Sequence, residues 1–300
     1  MKTFKLSVPA STSNLGPGFD TLGMAVQWPL ELTASQEGEE IRIEENIGAQ
    51  SQLPDDYREV VLEAIRTWEQ KAGKTARAVK LSFTSDIPLA RGLGSSACCR
   101  LAAITAVNLL EGSPLDSNEL LELTCILEGH TDNAVASQLG GLTISGWDKD
   151  SVRWVRYPMP GSIRLVALVP DNMLSTEEAR RVLPAGIPLQ HAVENMQRVL
   201  WLVHALTHDL PELLNRTFLD NIHQPYRKKL LPFLEPVIEA AEKAGAYGAF
   251  LSGSGSAILA ISGSSASEET AGAMLEKLRS EAGSGYVKIL KPDNRGITTL

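Results

Sequence analysis

Apolar and polar positions along this chain change period repeatedly, from two to about three and a half and back, which predicts strands interleaved with helices. Phe4 to Val8 and Val79 to Thr84 alternate as half-buried strands, and Leu30 to Ala34 and Ile41 to Glu44 read as further strands, the last two separated by the turn signal Gln36-Glu37-Gly38-Glu39. Asp55 to Lys71 places Val60, Val61, Ala64, Ile65 and Trp68 on one helical face, with its charges on a solvated one. Ala97 to Leu110 is rich in Ala and Leu at helical spacing. Asn118 to Leu127 is a second helix, started by the turn Ser113-Pro114-Leu115-Asp116-Ser117, and Gly140 to Ser145 returns to strand. Arg164 to Val169 predicts a strand, Leu174 to Arg180 a helix capped by Ser175 or Thr176, and His191 to Asp209 a long helix. Asp220 to Arg227 precedes another helix, and Gly245 to Ala260 is a glycine-rich turn leading into a strand.

Two segments break these periods with residues suited to chemistry. Pro9-Ala10-Ser11-Thr12-Ser13-Asn14-Leu15-Gly16-Pro17-Gly18-Phe19-Asp20-Thr21-Leu22-Gly23 is so dense in Ser, Thr, Asn, Gly and Pro that no regular element is expected; its single Asn and single Asp are short polar groups able to hold a ligand. Leu127-Glu128-Gly129-His130-Thr131-Asp132-Asn133 packs four acidic, imidazole and amide groups into one turn.

The stretch Ile87-Pro88-Leu89-Ala90-Arg91-Gly92-Leu93-Gly94-Ser95-Ser96-Ala97 joins a strand to a helix through two close glycines and two hydroxyls. A helix start leaves backbone N–H groups without intrahelical partners and carries partial positive charge, so the corner suits a phosphate. Gly-x-Gly-Ser-Ser is also an ordinary capped turn. It is not a Walker A loop, because the only Gly-Lys-Thr is Gly73-Lys74-Thr75 and the residue five before Gly73 is Trp68. A dinucleotide fingerprint over Gly92-x-Gly94-x-x-Ala97 is disfavoured by the spacer Pro88 to Arg91 between strand and glycines.

Composition narrows the partners. Three hundred residues suffice for two cores, and the charged turn Asp148-Lys149-Asp150 with Pro158 and Pro160 marks a boundary. A net charge of −8 argues against a nucleic-acid surface, so no nucleic-acid partner is expected. The N-terminus lacks the apolar core of a signal peptide and no run approaches a membrane span, which predicts a cytoplasmic protein without a membrane partner. Cys98, Cys99 and Cys125 form no C-x-x-C pair and suit packing in a reducing compartment. His204 and His208, four apart, have a metal-capable spacing but no zinc-protease Glu beside them.

Taken together, Pro9 to Asp20, Pro88 to Ala97, Glu128-Gly129-His130-x-Asp132-Asn133 and the Gly245 to Gly255 turn, with Ser175-Thr176-x-Glu178-Ala179-Arg180 and Gln224-Pro225-Tyr226-Arg227, resemble in order the GHMP superfamily of small-molecule kinases, and within it the homoserine kinases. The resemblance implies a two-domain α+β GHMP kinase fold: an N-terminal ribosomal-protein-S5-domain-2-like α/β domain over 1–157 and a ferredoxin-like α+β domain over 158–300, with the site between them. It implies ATP-dependent phosphorylation of the L-homoserine hydroxyl to O-phospho-L-homoserine, a step towards threonine, and a homodimer.

Carried over residue by residue, Asn14, Asp20, His130, Arg180 and Arg227 surround the amino acid. Pro88, Leu89, Ala90, Arg91, Gly92, Leu93, Gly94, Ser95, Ser96, Ala97 and Cys98 hold the ATP phosphates, supported by Ser252, Gly253, Ser254 and Gly255. Ser96 and Glu128 hold Mg²⁺, with Glu122 a weaker candidate. The base is open: Asn133 stands where related kinases carry Asp, an amide cannot accept the hydroxyl proton, and Asp20 is the only near candidate if a base exists. Thr131 and Ser256 replace residues usual at those positions, Arg100 is unexpected in its helix, and the Asn that usually holds the purine is missing from Asp56 to Val61. A kinase for another small hydroxy amino acid, and a non-catalytic nucleotide sensor, are the alternatives.

Overall fold

The computed structural model describes residues 2–37, 40–47, 55–77, 79–281 and 283–300. The predicted turn over Gln36 to Glu39 falls partly outside them, and Asp56 in the purine segment has no described side chain. The first half runs β1 (Thr3–Ser13), β2 (Leu22–Gln36), β3 (Arg42–Ile47), α1 (Asp55–Ala72), β4 (Val79–Ser85), α2 (Ser95–Leu110), α3 (Ser117–Glu128), α4 (Asp132–Leu139), β5 (Leu142–Asp148) and β6 (Ser151–Tyr157). The second half runs β7 (Ile163–Pro170), α5 (Thr176–Arg181), α6 (Leu189–Thr207), a 3₁₀ turn at Pro211–Leu213, α7 (Gln224–Arg227), α8 (Leu234–Lys243), β8 (Gly248–Leu251), β9 (Ile258–Gly263), α9 (Ser267–Glu281), β10 (Gly285–Leu290) and β11 (Thr298–Thr299).

The first sheet has the order β11-β1-β2-β4-β3, and β2 is long enough to pair β4 with its second half and β5 with its first. β3 and β4 are parallel and joined through α1, a strand–helix–strand unit. The charged turn at Asp148 to Asp150 is the tip of the β5–β6 hairpin. The second sheet, β10-β7-β9-β8, is antiparallel throughout and, numbered by its own strands, has the order 4-1-3-2 of a ferredoxin-like β-α-β-β-α-β unit. β11 then returns to pair with β1 in the first sheet.

Burial follows from the residue types. β7 is apolar on both faces because Leu165, Ala167 and Val169 join the larger core, shared with α6, while Val166 and Leu168 meet α8 and α9. Such a fully buried Leu or Val contributes about 1.5–3 kcal/mol. The α2 helix is buried on almost every side, which its Ala and Cys residues permit by letting β1, β2, α1, α3 and α4 approach closely. Its buried Asn108 is satisfied: it accepts from Trp68 Nε1 at 3.1 Å and exchanges two bonds with the Leu115 backbone.

One sequence expectation needs correction. Pro9 to Gly23 is not irregular throughout, since β1 continues to Ser13 and β2 starts at Leu22, leaving only Asn14 to Thr21 as loop. The hydroxyls of Ser11, Thr12 and Ser13 are buried yet paired with Asn133, Ser137 and Ser252, so the polar run costs the strand little. Pro9 is tolerated at a register shift between Pro9 and Ala10.

Candidate active site

A cavity of about 460 Å³ lies where the end of β1 and the starts of α2 and α4 meet α5, α7 and the β8–β9 turn. The corner before α2 forms its floor. Ala90, Gly92 and Gly94 have φ of 51°, 71° and 67°, so the chain turns sharply and enters the helix from a left-handed residue. A Cβ on Gly92 would stand 2.0 Å from the Ser252 carbonyl oxygen, and one on Gly94 2.3 Å from Ser11 Oγ. Glycine is therefore required twice. Gly94 as N-cap supplies no side chain to the first amides of α2, and no acidic residue occupies the first turn, so those N–H groups remain open to an anion.

The second half of the chain braces this corner. Ser252 Oγ donates to the Gly92 carbonyl at 2.6 Å, Ala257 N donates to the Arg91 carbonyl, and Arg91 spends its guanidinium on the carbonyls of Pro170, Asp171 and Leu89. Ser96 Oγ donates to Glu128 Oε1 at 2.7 Å, and the same oxygen accepts from Arg100 Nη1 at 2.5 Å, while Arg100 Nη2 reaches Glu63. The unexpected arginine of α2 is thus the counter-ion of a largely buried carboxylate. Ser95 Oγ accepts from Tyr57 at 2.6 Å; burial, foremost, raises the Tyr57 phenol well above its ordinary value.

Across the cavity, Asn14 and Asp20 both lie at positive φ, 69° and 50°. The Asn14 amide shapes the loop: Oδ1 accepts from Asp20 N, and Nδ2 donates to the Gly253 carbonyl, leaving one N–H for the cavity that it lines. Asp20 meets Arg180 through two bonds of 2.9 and 3.0 Å. Arg227 is buried, and burial first, then the nearby Arg180, pulls its pKa down to about 10. His130 Nδ1 lies 2.7 Å from Asp132 Oδ1; burial alone would lower its pKa, but the bond and charge of Asp132 raise it overall. Asn133 accepts from Ser11 Oγ and donates to Ser13 Oγ, both at 3.0 Å.

Of the residues singled out in the sequence, Asn14, Asp20, Pro88, Ala90 to Ser96, Glu128, His130, Asn133, Arg180, Arg227, Gly253 and Ser254 line this cavity. Leu89, Ala97, Cys98, Ser252 and Gly255 do not. Cys98 faces inward, with Sγ on the Pro9 carbonyl and burial lifting its thiol to about 12. Glu122 is also outside the lining. Tyr57 and Val60, unassigned in the sequence, line the cavity from α1, where the usual purine-holding Asn is missing. The rings of His204 and His208 lie with centroids 4.3 Å apart and tilted by 35°, away from the cavity lining.

Family models match both halves of the chain: the GHMP kinases N terminal domain over residues 59–141 and the GHMP kinases C terminal domain over 200–284. The chain belongs to the GHMP kinase family. Kinases of this family are ATP-dependent. A homoserine kinase of Carboxydothermus hydrogenoformans is 41% identical over 254 residues, 85% of this chain and 83% of that one. One from Caldanaerobacter subterraneus subsp. tengcongensis is 39% identical over 299 residues, 99% and 95%. The crystal structure of homoserine kinase from Cytophaga hutchinsonii superposes with a TM-score of 0.88 at 29% identity, covering 100% and 98%. A mevalonate kinase structure, TM-score 0.67 at 18% identity over 97% and 99%, shares the fold.

The open amides of α2 suit the nucleotide phosphates. Ser96 and Glu128 form an all-oxygen donor set that fits a hard divalent cation. Among the described residues no group of three or more His, Cys, Asp or Glu could hold a metal by itself. Mg²⁺ commonly takes one or two carboxylates and completes its shell with substrate phosphates and water, so a two-donor site beside a phosphate corner fits that ion. No helix among the described residues is long and apolar enough to cross a membrane.

Proposed function

We propose that this kinase phosphorylates the side-chain hydroxyl of L-homoserine with ATP, giving O-phospho-L-homoserine and ADP, in the cytoplasm and as a homodimer. The carrying observation is that one cavity joins the open α2 amides to Asp20, Arg180 and Arg227. The triphosphate lies against residues 92–96, with Ser96 and Glu128 to hold Mg²⁺, which neutralises charge on the β- and γ-phosphates when bound. The ammonium of the amino acid takes Asp20, and its carboxylate takes the guanidinium forks of Arg180 and Arg227.

The hydroxyl oxygen then forms its bond to the γ-phosphorus as the bond to the β–γ bridging oxygen breaks with its electron pair leaving on ADP, and the hydroxyl proton passes to a non-bridging oxygen of the transferred phosphoryl group and from there to water. Asn133 has no capacity to take the hydroxyl proton at neutral pH and is held by Ser11 and Ser13, so its contribution is placement. A loose transition state asks mainly for positioning and charge neutralisation, which these residues supply.

The test is ADP release by purified protein with Mg-ATP and a panel of L-homoserine, L-threonine and L-serine. Turnover confined to L-homoserine is expected. Equal turnover on threonine or serine overturns the substrate, and no turnover on any of the three overturns the activity in favour of nucleotide sensing.

A further inference from the structure

Arg227 is 2% exposed and has no carboxylate within ion-pair distance among the described residues. Its three hydrogen-bond partners among the described residues are all neutral acceptors: Nε donates to the Ala179 carbonyl at 3.1 Å, Nη1 to the Gly253 carbonyl at 2.9 Å, and Nη1 also meets His223 Nδ1 at 3.1 Å. A buried cation held only by neutral groups gains most from an incoming anion, and Nη2 takes part in none of these bonds. What fixes its plane decides where Nη2 points.

His223 is the side chain in that set, and it is fully buried. Its Nε2 is 2.8 Å from the Gly16 carbonyl oxygen and 3.5 Å from Asp220 Oδ2, and neither oxygen can donate, so Nε2 must carry the proton. The Nδ1 lone pair is then free to accept from Arg227. The backbone around the ring is anchored independently: Asp220 accepts from the amides of Ile222, His223 and Gln224 and from Asn195 Nδ2, and that same Asn195 nitrogen holds the Pro17 carbonyl. Phe19 completes the arrangement, its ring stacked on His223 at 5.3 Å with the Arg227 guanidinium at 5.3 Å and that of Arg180 at 5.7 Å.

We propose that His223 is a positioning residue for the amino-acid site. One ring nitrogen grips the Gly16–Asp20 loop and the other sets the plane of Arg227, so the loop meets the substrate ammonium and the arginine its carboxylate in a single register. This rests on the assignment of Arg227 to the carboxylate made above. Asp20 lies on the loop that His223 holds and Arg227 on the helix turn that follows it. The Asp20 loop and Arg227 are therefore placed through the same imidazole, while Arg180 is set from α5 through its pair with Asp20.

Two substitutions separate the two nitrogens. In His223→Asn the amide oxygen falls near the Nδ1 position and keeps an acceptor for Arg227; in His223→Gln the amide nitrogen falls near Nε2 and keeps the donor to Gly16. Expected are an amino-acid KM within about threefold of wild type for His223→Asn and a rise of about tenfold or more for His223→Gln, with KM for ATP within about twofold in both. A general structural role would lower the unfolding temperature and shift both KM values together; that result, or an unchanged amino-acid KM in His223→Gln, overturns the proposal. Ring-nitrogen NMR of the wild-type protein gives a readout free of any substrate assignment. A proton on Nε2 is expected, and a proton on Nδ1 overturns the proposal even where wild type turns over L-homoserine. Failure of the substrate assignment instead appears in the wild-type substrate panel.

Discussion

Asp20 and Arg180, 160 residues apart in sequence, meet as a two-pronged pair, Nη1 to Oδ2 at 3.0 Å and Nη2 to Oδ1 at 2.9 Å. Both side chains are more than one-third exposed, so the pair itself adds little to folding. Its value lies in what can replace it. A zwitterion inserted between the two offers an ammonium to Asp20 and a carboxylate to Arg180, so each charge exchanges one partner for another and neither is left alone.

Asp20→Asn removes the charge proposed to accept the ammonium while keeping the shape. The amino-acid KM is expected to rise roughly 10- to 100-fold, the range of a lost charge-assisted hydrogen bond, with KM for ATP within about twofold. Steady-state kinetics with each substrate varied in turn measure both. A loss confined to ATP would take Asp20 out of the amino-acid site.

Gly92→Ala tests the phosphate corner. Its Cβ would stand 2.0 Å from the Ser252 carbonyl oxygen at a φ of +71°, and that carbonyl, held by Gly255 N in its own turn, cannot give way cheaply. Destabilisation of about 1–3 kcal/mol for the strained backbone alone, with at least a tenfold loss in nucleotide affinity, is expected from urea unfolding and nucleotide titration. Gly73→Ala is the control: φ is also positive, +62°, but nothing lies within 4 Å, so about 1–2 kcal/mol of backbone cost and unchanged nucleotide affinity are expected.

These contrasts show what the residues reveal before folding. The corner at Gly92 to Ser96 and the turn at Glu128 to Asn133 were legible because their chemistry is local: glycine spacing, a helix start and short polar groups within a few residues. The strand through Ser11 to Ser13 was not, because a polar run is strand-compatible only when Asn133, Ser137 and Ser252, more than a hundred residues away, satisfy its hydroxyls. Arg100 stood out by its type alone, but its partner Glu128 lies on the next helix, and no sequence pattern announces that pairing. The Phe19 and His223 stack was hidden for the same reason: ring contacts across two hundred residues leave no periodic trace.

Arg100→Met tests whether Arg100 competes with the proposed Mg²⁺ for Glu128. Arg100 and Glu128 side chains are 13% and 8% exposed, so removing the arginine leaves a largely buried carboxylate held by Ser96 alone. A lower unfolding temperature without metal is expected. Because Glu128 Oε1 is then freed of one strong donor, half-saturation by Mg²⁺ in the presence of nucleotide is expected at severalfold lower concentration. Thermal unfolding and a magnesium titration of nucleotide binding check the two halves. A weaker metal response would mean that Arg100 holds Glu128 ready rather than competing for it.

Stability should fall on the acid side through His223. Burial, first, and then Arg227 hold its pKa below the ordinary 6.5 in the folded protein, despite the opposing charge of Asp220. The unfolded chain takes up a proton near pH 6.5 that the folded protein refuses, so unfolding is favoured as pH falls from 6.5 towards the depressed folded value, and the loss levels off below it. Above about pH 7 both states are neutral at this ring and it contributes no slope. The steepest contribution of one such proton is about 1.4 kcal/mol per pH unit. His130, with its raised pKa, works in the opposite direction, so the informative quantity is the difference between wild type and His223→Gln. Unfolding free energies from urea titrations at pH 8, 7, 6 and 5 should show the wild-type advantage shrinking below pH 6.5. A difference independent of pH would mean that the buried ring is not kept neutral by the fold.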